Sequence, residues 1–233
     1  MKRQLLIFIL LLLDVFFTSA SGQDTKFTIA AEGGPSLTNL ITSKQFKKYF
    51  IPVLGGYAGI LVQYNLSQYF SLRSGLTYER TGTNFVVDTY DIKVDYTYFF
   101  DYLTIPVMVR MQYGGKVRLY GTFGPFFSLL LSQQYFANGG EQYYHITPDT
   151  HTAIPINRNR IDFGIIGGVG MEIKILSKAT LTIGVSDFYG LCNTKKQPPY
   201  TNDGGIGLGF DSKTYNNSAI FLIGCSVNIG KTK

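Results

Sequence analysis

Three patterns in the sequence predict an all-β fold, an eight-stranded antiparallel up-and-down β-barrel that spans a membrane. After Phe17 no window holds about 18 uninterrupted apolar residues, so helical spans are not expected. Segments in which every second residue is apolar recur along the chain, as in strands with two unlike faces. Short and long connections alternate between them, which is typical of transmembrane barrels with tight periplasmic turns and long extracellular loops.

The first 22 residues are typical of a secretory signal peptide. A basic head precedes an apolar run from Leu5 to Phe17, and small residues follow it. Cleavage after Ala20 and cleavage after Gly22 both fit the pattern, and the choice stays open. An uncleaved anchor is the alternative, although the run is shorter than the roughly 20 residues of a helical span. We expect residues 1–22 to be a signal peptide and residues 23–233 to form one barrel domain.

Eight alternating segments follow the leader, and each is assigned to one transmembrane strand. Lipid offers no hydrogen-bond partner to an open sheet edge, so the first strand must pair with the last. An even number of strands returns the chain to the side where it began, which permits this closure. The segments are 26–32, 53–64, 68–81, 98–113, 117–132, 160–175, 179–190 and 218–229.

The predicted connections are three tight turns and four long loops. The turns cover residues 65–67, 114–116 and 176–178, and the loops cover 33–52, 82–97, 133–159 and 191–217. A three-residue turn in each hairpin keeps the apolar residues on one face, because side chains alternate with a period of two. The resulting predicted pairs are Val62 with Phe70, Met111 with Leu119, and Ile173 with Leu181.

The composition of the two faces predicts which one meets lipid. Rows of Leu, Ile, Val, Phe and Met run for about ten residues, enough for a tilted strand to cross an apolar band about 25 Å tall. The opposite rows hold glycine, small polar residues and a few charges of both signs, which suits a narrow closed interior. The chain has 17 Tyr, 18 Phe and no Trp, so Tyr and Phe would form the interfacial girdles. A soluble lipocalin-like carrier is the alternative.

Charged residues on the inward rows predict a polar network in the lumen. Arg118 and Glu172 lie on neighbouring strands near the short turns, so we expect an ion pair between them. A structural network that makes buried charge tolerable is favoured over a proton or ion path, which is the alternative. The predicted members are Arg73, Glu79, Arg110, Arg118, Asp162 and Glu172.

No motif in the sequence points to a cofactor or a metal. The glycine clusters at 167–170 and 204–207 lack the Lys-Ser/Thr that follows a phosphate-binding loop. Neither zinc-ligand spacing nor a calcium-binding loop is present in the sequence. We therefore predict a non-enzymatic protein without cofactors. His145 and His151 in the third loop leave a lipid A-modifying enzyme as the alternative.

Loops held by a rigid scaffold often carry binding residues, and aromatic and basic side chains there are the predicted contacts. The net charge of +6 is modest and no stripe of Lys or Arg runs along a strand, so no nucleic acid partner is expected. Expected partners are membrane lipid and lipopolysaccharide, together with a polysaccharide or a secretion or surface protein. The contact candidates are Phe46, Lys47, Lys48, Tyr49, Tyr143 and Tyr144.

Three strands resemble those of the PorT-like outer-membrane β-barrel proteins. YLTIP at 102–106 is similar to that family's Y-L-x-I-P strand, FSLRSGLTYERTG at 70–82 to the preceding strand, and YGTFGPFFSLLL at 120–131 to the following one. The resemblance implies a porin-like barrel in the outer membrane of Bacteroidetes-type bacteria and a role in protein secretion or surface export. The chain departs from many such barrels in ending VNIGKTK rather than on an aromatic residue. We expect a scaffold that presents its external loops to a partner.

Overall fold

The computed structural model describes residues 27–42, 50–89, 92–138, 143–146, 158–194 and 213–229. These ranges contain no helix that is long and apolar enough to cross a membrane. The predicted signal peptide lies outside the described residues. The strands are β1 (Phe27–Ile41), β2 (Phe50–Ile51), β3 (Val53–Asn65), β4 (Phe70–Thr89), β5 (Ile92–Gly114), β6 (Val117–Asn138), β7 (Tyr143–Ile146), β8 (Ile161–Lys174), β9 (Ala179–Gly190) and β10 (Tyr215–Ile229).

Eight of these strands close into an antiparallel barrel, which confirms the predicted fold class. The order around the barrel is β1, β3, β4, β5, β6, β8, β9 and β10, and β10 pairs with β1. The short strands β2 and β7 add to β4 and β6. Following the paired residues once around the barrel from Arg118 on β6 leads back to β6 at Ser128, ten residues further along the strand. This stagger tilts the strands and leaves an interior that side chains fill.

The apolar rows form the outer wall of the barrel. Leu54, Ile60 and Leu119 are 71%, 63% and 64% exposed, whereas inward-facing Leu61 is fully buried. Contiguous apolar surface of this extent is typical of a face covered by lipid, and a soluble carrier would have placed these residues inside.

Aromatic residues gather at the short-turn end of the outer wall. Phe27 and Tyr64 lie 5.1 Å apart between ring centroids, and Tyr69 stacks on Tyr113 at 6.1 Å. Amphipathic tyrosine rings are favoured where hydrocarbon meets headgroups. This end of the barrel therefore carries an interfacial girdle.

Several strands are longer than predicted. β1 continues to Ile41, and β6 continues to Asn138, so the predicted loops 33–52 and 133–159 begin as strand. The predicted loop 82–97 is wrong, because β4 and β5 run through it as a hairpin on both sides of residues 90–91. Several charged residues lie within residues 88–95, and such charges are also typical of loops, so the sequence did not indicate that the two strands continue.

The hairpin registers agree with the prediction in one case of three. Ile173 pairs with Leu181 as predicted. Met111 instead faces Gly121, and Val62 faces Ser74. The displacements are two and four residues, even numbers, so each apolar row stays on the outer wall.

Local interactions explain the two displaced turns. Gly114 has a φ of 133°, a conformation in which other residues are strained, and it still pairs with Arg118. The turn therefore lies at 115–117. In the β3–β4 turn the Ser67 hydroxyl accepts hydrogen bonds from the N–H groups of Tyr69 and Phe70, which holds a longer connection than predicted.

Candidate functional site

An ionic cluster fills the lumen near the short turns. The Arg73 guanidinium donates a 2.7 Å hydrogen bond to Glu32, which also accepts one from the Tyr57 hydroxyl at 3.1 Å. The two oxygens of Glu172 accept hydrogen bonds from Arg110 and, at 2.7 Å, from Arg118. We name this group the lower ionic cluster, and its charged members are Glu32, Arg73, Arg110, Arg118 and Glu172.

The structure divides the six predicted network residues between two places. Arg73, Arg110, Arg118 and Glu172 belong to the lower ionic cluster, whereas Glu79 and Asp162 lie buried nearer the loops. Glu32 was not predicted. Glu32 lies four residues after inward-facing Thr28 on β1, and an even spacing along a strand places both side chains on the same face. This spacing could have identified Glu32 from the sequence.

An apolar septum separates the two polar regions. On β8, Ile166 lies between Asp162 on the loop side and Glu172 on the turn side. Aromatic rings fill the centre, with Phe188 at 5.4 Å from Phe126 and 5.9 Å from Tyr57 between centroids. The septum consists of Tyr57, Leu61, Met108, Phe126, Ile166, Phe188, Ile220 and Leu222.

A second network, the upper network, lies on the loop side of the septum. The side-chain amide nitrogen of Asn216 donates a hydrogen bond to Asp162 at 2.6 Å. The Arg158 guanidinium donates hydrogen bonds to the side-chain oxygen of Asn216 at 2.6 Å and to the Tyr102 hydroxyl at 3.0 Å. The guanidinium also lies 3.7 Å from the centroid of the Phe100 ring, a cation–π contact. Arg158 was not predicted, because it lies in a segment interpreted as loop.

Glu79 differs from the buried carboxylates of the lower ionic cluster. It is 4% exposed, and none of the ion pairs among the described residues includes it. Its strand neighbours across the sheet are Tyr57 and Tyr102. It is therefore a buried carboxyl group without a cationic partner in the described part of the chain.

A polar cluster on the outer wall lies where the apolar rows end. Asp101 accepts two hydrogen bonds from Arg80, at 2.8 and 3.1 Å, and one each from Tyr78 and Ser132 at 2.6 Å. The register of β5 and β6 shifts here, because Asp101 pairs with Ser132 whereas Tyr102 pairs with Leu130. This bulge turns Ser132 toward the carboxylate and fixes the base of the sheet above the membrane.

Among the described residues, that sheet is the largest feature on the loop side. β4, β5 and β6 have 20, 23 and 22 residues, about twice the 9–11 residues that a transmembrane strand needs. The excess lengths pair with one another, and β2 and β7 extend the sheet sideways.

The predicted loop contacts are only partly described. Tyr143 and Tyr144 lie on β7, where they pair with Phe136 and Tyr135, and His145 follows on the same strand. Phe46, Lys47, Lys48, Tyr49 and His151 lie outside the described residues. The described ranges contain no group of three or more His, Cys, Asp or Glu arranged to hold a metal ion. Cys192 and Cys225 are both free thiols.

Comparisons with known proteins found a matching family and several similar solved structures. The family described as "Outer membrane protein beta-barrel domain" matches residues 19–195. Among curated proteins none matches the chain. Solved structures with similar barrels include OprG from Pseudomonas aeruginosa, with 13% identity, coverage of 88% of this chain and 97% of that chain, and a TM-score of 0.47. The Neisserial surface protein A has 11% identity, 88% and 98% coverage and a TM-score of 0.45. Ail of Yersinia pestis, solved with the heparin analogue sucrose octasulfate, has 10% identity, 87% and 98% coverage and a TM-score of 0.41. The family match spans most of the chain, which therefore belongs to the outer membrane protein β-barrel family and resides in the bacterial outer membrane.

Proposed function

We propose that the protein is a non-enzymatic scaffold that holds a β-sheet above the outer membrane and presents it to a partner. The observation that carries this proposal is the continuation of β4, β5 and β6 well beyond the length that crosses the membrane. Crossing the membrane does not require the strands to stay paired beyond it. A surface that binds a partner is one use for such an extended sheet.

The closed lumen argues against a conduit. The septum packs apolar side chains of six of the eight barrel strands into the centre of the lumen, and the adjoining cavity has a volume of about 10 Å³, roughly that of a single water. Charges on either side of the septum are held by hydrogen bonds to neighbouring side chains. A structural role for these charges therefore fits better than an ion path.

The partner that we propose is a surface polysaccharide or a component of a secretion system. Support for secretion comes from the PorT-like strand motifs at 70–82, 102–106 and 120–131. Support for a rigid presenting surface comes from Arg80 and Asp101, whose paired hydrogen bonds stiffen the base of the sheet.

Shortening the β4–β5 hairpin tests the proposal. Replacement of residues 87–94 by Asn-Gly keeps the Val86–Asp95 pair as the last of the hairpin and supplies a two-residue turn. Replacement of Gly115-Lys116 by Asn-Gly at the opposite end is the matched control. Both variants should insert, shift on a gel after boiling and resist carbonate extraction. Only the hairpin variant should reproduce the secretion or polysaccharide phenotype of a deletion strain.

Two outcomes would contradict the proposal. Full complementation by the hairpin variant would show that the sheet above the membrane is dispensable. A change in the lipid A mass spectrum of the deletion strain that is restored by the parent protein, but not by a His145→Ala variant, would favour the lipid-modifying enzyme instead.

A further inference from the structure

We propose that the lumen holds one small monatomic anion of the halide class, bound beside the lower ionic cluster. This inference does not depend on the proposed scaffold function. It follows from the charge of the cluster, from its unpaired donors and from the size of the cavity between them.

The charges of the lower ionic cluster do not balance. It contains three guanidinium groups, Arg73, Arg110 and Arg118, and two carboxylates, Glu32 and Glu172. Arginine stays protonated in proteins, so the cluster carries one excess positive charge. The side chains of Arg73 and Arg110 are each 3% exposed, and that of Arg118, nearest the short turns, is 17% exposed. A buried excess charge is costly, and a bound counter-ion lowers that cost.

Three hydrogen-bond donors in this part of the lumen lack a partner among the described residues. The Nε–H groups of Arg73 and Arg110 and the hydroxyl of Tyr120 are buried without a hydrogen-bond partner in the described part of the chain. Arg110 lies 3.9 Å from the centroid of the Tyr120 ring, which holds the two side chains together. The carboxylate oxygens of Glu32 and Glu172 already accept hydrogen bonds. The donors that remain therefore favour an anion over a cation.

One cavity brings these donors together. Arg73, Arg110 and Tyr120 all line it, together with Glu32 and residues of the septum. Its volume of about 10 Å³ is close to that of one water molecule, so a halide, which is somewhat larger, enters only if the lining side chains move slightly outward. Phosphate, sulfate and carboxylates are too large for it. A water molecule would satisfy the donors but would leave the positive charge uncompensated.

Bromide is the direct probe of this site, since its anomalous scattering distinguishes it from water. Crystals of the full-length protein grown in sodium bromide should show an anomalous peak inside the cavity. The unfolding midpoint in detergent should rise when chloride or bromide replaces gluconate at constant ionic strength, because a ligand that binds only the folded state stabilises it. Density for water without an anomalous peak would overturn the proposal.

Two variants separate specific binding from general salt effects. Arg118→Gln brings the cluster to zero net charge without changing a residue that lines the cavity, and it should abolish the halide dependence. Lys116→Gln, an exposed turn residue two positions away, changes the net charge of the protein equally and should retain it. Equal halide responses in the two variants would contradict the inference.

A third variant keeps the test valid if Arg118→Gln does not fold. Tyr120→Phe removes one donor from the cavity without altering any charge, so a higher halide concentration should be needed for the same rise in midpoint. An unchanged halide response in this variant would count against the site.

Discussion

Glu32 and Arg73 form a 2.7 Å ion pair in the barrel interior, although β3 separates the two strands that carry them. Both side chains are less than 5% exposed. Removing one partner of such a pair leaves an uncompensated buried charge, which costs about 3–5 kcal/mol. Glu32→Gln should therefore lower the free energy of unfolding by this amount, measured by urea titration in lipid vesicles.

Glu79→Gln is the control for that measurement. Glu79 is equally buried but has no cation beside it in the described structure, so an amide of the same size should change the free energy of unfolding by less than about 1 kcal/mol. Similar losses for the two variants would mean that burial, rather than the ion pair, decides the stability of the network.

Arginine scanning of the outer wall should detect the membrane position. Ile60 lies in the middle of an apolar row and is 63% exposed, so Ile60→Arg should lower the free energy of unfolding by about 2–4 kcal/mol. Val117, at the turn end and 52% exposed, should cost about 0–1 kcal/mol. The same vesicle titration measures both, and equal costs would be inconsistent with a lipid-covered wall.

Gly184 on β9 makes room for the side chain of Tyr120 on β6, with only β8 between the two strands. A Cβ at Gly184 would lie 2.3 Å from the Tyr120 hydroxyl and 2.8 Å from the Val169 carbonyl oxygen. Gly184→Ala should therefore destabilise the barrel by about 1–3 kcal/mol, the usual cost of overpacking. Adding Tyr120→Phe should recover part of the loss, which a double-mutant cycle measures.

Gly167→Ala is the matched control, because a Cβ at that outward-facing position meets no atom within 4 Å. Its stability should stay the same or rise slightly, since alanine restricts the unfolded chain more than glycine does. A loss as large as that of Gly184→Ala would show that backbone freedom, rather than the Tyr120 contact, requires glycine in β8 and β9.

The septum predicts that the barrel does not conduct ions. Reconstituted into planar bilayers, the purified protein should give no steady unit conductance, because Leu61, Ile166 and Ile220 are each less than 3% exposed and leave no continuous water path. Arg118→Leu should lower stability without creating a current. Steady openings of the parent protein would contradict the closed lumen.

The sequence by itself determined the number of barrel strands, the face of each that meets lipid, and the side on which the short turns lie. Side chains alternate between the two faces of a strand, and a sheet in hydrocarbon cannot leave its edge strands unpaired, so these features follow from the sequence pattern. It could not determine the extent of β4 and β5 above the membrane, because the charged residues within 88–95 are also typical of a loop. It also misplaced two turns, since Met111 remains on the outer wall whether it faces Leu119 or Gly121.

The pairing of Arg118 with Glu172 could be predicted because both lie beside short turns, but only the tertiary structure decided which other charges meet inside the lumen. Once around the barrel, the pairing that starts at Arg118 returns to β6 at Ser128, so closure staggers the strands. This stagger brings Glu32 beside Arg73 and Arg110 beside Glu172. Face alternation predicts that a side chain points inward but says nothing about its height in the barrel. That height depends on the register of all eight strands at once, and the physical reason is that closure is a property of the whole ring.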